Sequence, residues 1–247
     1  MEILGVKISE HAAEQVRTLC DSFSKPVKYF ISESERTDYS GDPTCYNVSL
    51  PSDLDRRTFE ANVFYELLHV RQFEAGFPTL YNKDSIMFSK DGEFVNDLGS
   101  SIFFGVLDLD VFERMRELRY IDAVYRFVGS IFESLVDYAS HIHGSLNDKY
   151  NFAHLVLDMS KILYHANPEL DKAIQEAYKD YPDVLEKAFA LRDLMHKNPP
   201  DAPVTAAVTM GILIDELDLW DLFYIKIRDE KIRTKTEFEA FAKSVAK

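Results

Sequence analysis

The chain has 247 residues, with 28 Lys plus Arg against 42 Asp plus Glu, a formal net charge of -14, and 46% hydrophobic residues with only nine Gly and nine Pro. That composition can bury a core and excludes collagen-like, low-complexity and wholly disordered chains. The acidity argues against nucleic acid and against an anionic membrane surface as partners, since both reward a basic face.

The longest apolar stretch, about Ile102 to Leu107, falls far short of the ~20 residues that span a bilayer. Met1 to Lys7 has no basic segment followed by a long apolar one, so no secretory signal is expected. Cys20 and Cys45 are the only cysteines, too few for a disulfide framework, and a cytoplasmic location is the expectation.

Residues 9–24 predict a first helix, with Ser9 as N-cap and Ala12, Ala13, Val16, Leu19, Cys20 and Phe23 at helical spacing. Val27 to Ile31 is β-branched and aromatic and predicts a strand. Thr37 to Pro43, with Gly41 and Asp42, predicts a turn, and Thr44 to Leu50 a second strand ended by Pro51. Beyond it strand signals nearly vanish. Ser52 or Asp53 is expected to cap a helix running to about Ala75, with Gly76 as a left-handed stop. Residues 77–105 read as irregular. Helices are expected over 108–120, 121–143, 148–166, 168–180, 182–197, 204–225 and 236–246, with Pro168 and Pro182 in first-turn positions. The fold class is therefore α+β and predominantly α. It comprises an N-terminal β element with a motif helix (1–80) and a helical part (81–247), expected to form one continuous domain.

The most informative stretch is Phe64 to Gln72. At 100° per residue, Glu60, Arg71 and Glu74 fall on one side, a natural solvent face. Asn62, Tyr65, Glu66, His69 and Gln72 cluster opposite. A surface helix normally carries one polar stripe, turned outward. A second stripe turned inward needs partners: a ligand, a metal or a polar network. The plainest of these is a core histidine, His69, paired with Glu66.

Tyr65-Glu66-Leu67-Leu68-His69 resembles the His-Glu-x-x-His helix of the zincin metallopeptidases. Two strands and a turn precede it, as in zincins, where an edge strand lies beside the substrate. Gly76-Phe77-Pro78 follows at a short interval, and the likeness extends over about residues 27–80. In the family the two histidines at i and i+4 grip zinc while the intervening Glu polarises water. Here the first position is Tyr65. The gluzincin branch takes a third ligand from a later Glu, followed four residues on by an orienting Asp, and Glu133 and Asp137 have that spacing. The same two residues also suit the water-facing side of an amphipathic helix that includes Arg126.

The resemblance implies a zincin-like α+β fold and leaves two functions open. In the first, the protein is a non-catalytic relative, without cofactor, whose cleft binds a peptide or protein partner, or which merely keeps the fold. In the second it is a zinc-dependent hydrolase with an atypical ligand set. There Glu66 is the general base, Tyr65 a weak ligand or oxyanion donor, His69 and Glu133 metal ligands, and Asp137 the residue that orients a ligand. A third reading pairs Glu66 and His69 with Asp193 and His196 as a carboxylate-bridged di-iron site. His141 and His143 point to nearly opposite sides of a helix, Asp108 and Asp110 lack a calcium loop, and Lys226 to Lys235 reads as a solvated basic run.

Overall fold

The computed structural model describes residues 1–33, 37–84, 92–139 and 148–245. The protein is α+β and predominantly helical, and it divides into two compact units, residues 1–76 with 111–124, and 77–110 with 125–247.

The first unit opens on a short hairpin, β1 (Glu2–Ile3) and β2 (Val6–Lys7), turned by Leu4 and Gly5 at positive φ. Ser9 then caps α1 (Glu10–Ser22), its hydroxyl accepting from the Ala12 N–H at 3.2 Å, and Ala12, Ala13 and Val16 are buried. Three strands form a mixed sheet in the order β3 (Val27–Ile31), β5 (Tyr46–Leu50), β4 (Asp38–Gly41). β3 runs parallel to β5 and β4 antiparallel to it. The central strand alternates, with Tyr46, Val48 and Leu50 buried.

The segment that reads as a turn from Thr37 onward is thus a strand as far as Gly41, and the reversal is confined to Asp42 and the residues after it. The Asp42 carboxylate accepts from the Thr44 N–H at 2.6 Å, the Thr44 hydroxyl at 2.7 Å and the Cys45 N–H at 2.9 Å. These bonds hold its carboxyl well below the usual carboxylate range.

Helix α2 (Arg56–Ala75) follows β5 and packs on β4, β5 and α1. Its cap is Asp55, not Ser52 or Asp53. Asp55 accepts from Arg57 and Thr58 N–H at 2.9 and 3.1 Å, and Gly76 ends the helix in the left-handed region at φ 76°.

In the second unit two expectations give way. The stretch 77–105 contains β6 (Thr79–Asn82), and α3 (Gly92–Glu117) starts well before residue 105. The helix expected over 204–225 ends at Glu216: α8 is Pro203–Glu216, and the chain continues into β7 (Phe223–Ile227) and β8 (Glu230–Ile232). Asp218 takes φ 51° and the chain unwinds after Leu217. Pairing of β7 with β6, more than 140 residues away in sequence, overrides local periodicity.

The other helices lie near their expected places: α4 (Ile121–Ala139), α5 (Lys149–His165), α6 (Pro168–Ala177), α7 (Pro182–Lys197) and α9 (Lys235–Val245). α5 packs on α7, and α8 on β7, α7 and α9. Residues 226–235 form a hairpin and helix start in which Lys226, Arg228, Lys231, Arg233 and Lys235 are exposed.

Candidate functional site

Along α2 the inward polar stripe is buried: Asn62, Glu66, His69 and Gln72 are all enclosed, with His69 only 1% exposed, while Tyr65 is half-buried. β4 supplies the cover. The Thr37 hydroxyl, at its start, donates to Glu66 Oε1. The Tyr39 ring lies nearly parallel to the His69 imidazole, with centroids 5.8 Å apart and planes 7° from parallel. Tyr65 meets the same imidazole edge-on at 4.6 Å. His69 Nδ1 lies 3.1 Å from the Gln72 amide oxygen, an arrangement in which Nδ1 carries the proton. Burial, with the carboxylates of Glu66 and Asp38, pushes the Tyr39 phenol up to about 12, so it is a neutral hydroxyl at physiological pH.

Thr37 and Tyr39 escape sequence reading because their segment carries a turn signal, Gly41-Asp42-Pro43, that masks the alternation of a short strand. Glu60 is a correction. Assigned by helical angle to the solvent face, it is 3% exposed and accepts from the Tyr120 hydroxyl at 2.8 Å and the Ser9 N–H at 2.6 Å. The angle alone ignores a neighbour, Tyr120, that closes over this side of the helix.

Tyr65, Glu66 and His69 belong to the first unit, and Glu133 and Asp137 to the second. On α4 both acids are exposed and line an open groove with Val136 and the α6 residues Ala173, Glu176 and Ala177. This is the water-facing placement that an amphipathic helix gives them. Asp193 pairs with Arg192 at 2.8 Å and His196 stacks on Tyr164 at 4.1 Å. Asp108 is buried and accepts from Lys161, an internal ion pair. His141 and His143 lie outside the described residues.

Among the described residues no group of three His, Cys, Asp or Glu side chains is placed to hold an ion. One imidazole, one carboxylate bonded to a hydroxyl, and a neutral phenol do not fit a catalytic zinc, which takes three good protein donors and a water. What the arrangement forms is a largely buried polar and aromatic network beside a sheet edge: parallel rings and a carboxylate held by a hydroxyl.

The chain matches no protein-family model, no curated protein and no solved structure. Among the described residues no helix is long and apolar enough to cross a membrane.

Proposed function

We propose that this chain is a non-catalytic, zincin-like protein that binds an extended peptide or a protein segment along the β4 edge, beside the helix that carries Tyr65, Glu66 and His69. The observation that carries the reading is the placement of β4, an antiparallel edge strand of a mixed sheet, over a helix bearing Glu-x-x-His, with Tyr39 stacked on His69. The resemblance implies two strands and a turn before the helix with an edge strand beside the substrate, and β4, in the stretch expected to be the turn, is the edge strand that supports the reading. Tyr65 stands where the first ligand histidine would be, and Glu66 and His69 are engaged by Thr37 and Gln72. A phenol with an ordinary pKa near 10 is a poor zinc donor at neutral pH. An edge strand offers unpaired main-chain groups to an extended partner, which needs no chemistry from the helix.

The proposal includes a reducing, cytoplasmic setting, in keeping with Cys20 and Cys45 as free thiols. Its partner is a protein or peptide and not nucleic acid, given the net charge of -14.

Zinc titration by calorimetry tests the reading. The wild-type protein is expected to show no stoichiometric site tighter than about micromolar, against the far tighter binding of dedicated zinc sites, and to leave a labelled casein substrate intact. Stoichiometric zinc retained through dialysis against a mild chelator, with peptide hydrolysis, would overturn it in favour of an active hydrolase. Iron near two per chain would overturn it in favour of the di-iron site.

A further inference from the structure

A second feature, wholly within the 77–110 and 125–247 unit, has no part in the site above. β6 is the outer strand of its sheet, paired with β7 on one side. The Lys83 N–H bonds the Leu222 carbonyl at 2.8 Å, and the register pairs Tyr81 with Tyr224 and Thr79 with Lys226. In an antiparallel pair the bonded positions alternate. Thr79, Tyr81 and Lys83 therefore face β7, and the main-chain N–H and C=O groups of Leu80 and Asn82 point away from it.

Beside β6 lies a groove of about 450 Å³. All four β6 residues line one wall. The other wall is Asn96, Gly99, Ser100 and Phe103 of α3, one stripe of the helix at i, i+3, i+4 and i+7, and at the Asn82 end the two walls meet, the Asn82 amide donating to Asn96 Oδ1. Gly99 sets the spacing of helix and sheet, since a Cβ there would sit 3.0 Å from the Phe223 ring and 3.4 Å from Asn82 Oδ1. An edge strand with a helix beside it is the geometry that accepts an added strand.

The charge around the groove is polarised. Exposed Asp84 stands at the Asn82 end. Near the opposite end lie exposed Lys226, opposite Thr79, and Lys231, whose ammonium sits 5.8 Å from the Tyr224 ring centroid. The outer face of Tyr81, stacked on Tyr224 at 5.3 Å, is 40% exposed.

We propose that this groove binds an extended peptide as a fourth strand beside β6. Its main chain pairs with Leu80 and Asn82, and small or apolar side chains alternate toward Ser100 and Phe103. A Lys or Arg side chain sits at the Asp84 end.

A positional-scanning library of fluorescein-labelled heptapeptides, read by fluorescence polarisation on the full chain, tests this. The expected selection is an alternating pattern with Lys or Arg favoured at one end, and a best binder near micromolar, as is usual for short peptide motifs. N-methylation of that peptide, one amide at a time, should weaken binding tenfold or more at every second position and leave the intervening ones within about twofold, the signature of strand pairing.

Leu80→Pro removes an outward N–H without touching the β7 ladder, and Ser100→Tyr fills the groove from an exposed helix position; each should weaken binding at least tenfold. Asp84→Lys should abolish the preference for a basic end. Ser100→Tyr keeps the test decisive if Leu80→Pro does not fold. Absence of any selected peptide, an N-methyl scan without period two, or binding unchanged in Ser100→Tyr would overturn the proposal. So would a wild-type dimer in sedimentation that Leu80→Pro converts to monomer, because the edge would then serve a second copy of the chain.

Discussion

Tyr120→Phe isolates one hydrogen bond to a buried carboxylate. In the first unit Glu60 is enclosed, with the Tyr120 hydroxyl on Oε2 at 2.8 Å, the Ser9 N–H on Oε1 at 2.6 Å and Arg56 Nε 3.9 Å away. The change deletes one oxygen atom. It keeps the ring that packs on Phe64 at 5.0 Å and lies under the Arg57 guanidinium at 4.2 Å. Little cavity is created, so the loss is that of one bond to a charged group, with the carboxylate left a donor short: about 2 kcal/mol at pH 7. Urea unfolding followed by far-UV circular dichroism, with the slope fixed between variants, measures it.

The pH dependence provides a second, independent check. Burial and the Glu60 carboxylate push the Tyr120 phenol well above its ordinary value of 10. The folded state therefore keeps this proton after the unfolded chain has released it. Stability from the shift is complete below pH 10 and declines above it, by up to about 1.4 kcal/mol per pH unit. Phenylalanine has no such proton. The wild-type advantage over Tyr120→Phe should hold constant from pH 6 to 9 and narrow above 10. Tyr29, Tyr39 and Tyr178 are also raised, but both proteins carry them and they cancel in the difference. A loss under about 0.5 kcal/mol, the size of a neutral surface change, or an advantage that stays flat to pH 11, would refute the argument.

Tyr65→His should create measurable zinc affinity in a calorimetric titration, because it places two imidazoles at i and i+4 around Glu66; Tyr65→His with Glu133→Ala should bind less only if Glu133 acts as a ligand. Gly211→Ala drives a methyl into the Phe238 ring, so that ring or α9 must give, with a loss of about 1–3 kcal/mol and faster amide exchange in Lys235–Val245. Gly76→Ala keeps open space but takes a left-handed φ of 76°, and should lower stability by about 1 kcal/mol without altering exchange in the middle of α2. Asp42→Asn removes a carboxylate whose pKa is lowered on folding. The wild-type advantage should be present above the ordinary Asp range and fade as pH falls below it, and a difference that grows toward acid pH would contradict the assignment.

What was legible in the sequence was whatever a single segment dictates by itself. Ser9 caps α1, Gly76 stops α2, and the stripe of Asn62, Glu66, His69 and Gln72 is buried as its spacing requires. Each depends on local geometry, either a side chain reaching its own backbone or a periodicity of 3.6. The failures share the opposite cause. Phe223–Ile227 carries the aromatic, alternating pattern of a strand but follows directly on the helical run that ends at Glu216, and Thr79–Asn82 is a strand because Phe223–Ile227 pairs with it. Glu60 is buried because Tyr120, sixty residues later, closes over it. Tyr39 and Thr37 reach the motif helix because β4 inserts beside β5, on the side opposite β3, so that three strands in one order along the chain lie in another in the sheet.

The same reasoning bears on the motif itself. Glu-x-x-His was legible as a polar face, but what that face does depends on partners drawn from elsewhere in the chain. Here those partners are a threonine hydroxyl on Glu66, a tyrosine ring over His69 and an amide against Nδ1. The hydroxyl engages the Glu66 carboxylate and the amide fixes Nδ1, while the ring packs flat on the imidazole. Restoring a histidine at residue 65 therefore has to compete with a network already made. Glu66 is read as the base of the motif and not as a ligand, so Thr37→Val, which removes its hydroxyl partner, should leave the zinc affinity of Tyr65→His within about twofold. A tenfold or greater rise with Thr37→Val would mean that the freed carboxylate itself takes the ion, and would refute the division of the motif into one base and two imidazole ligands.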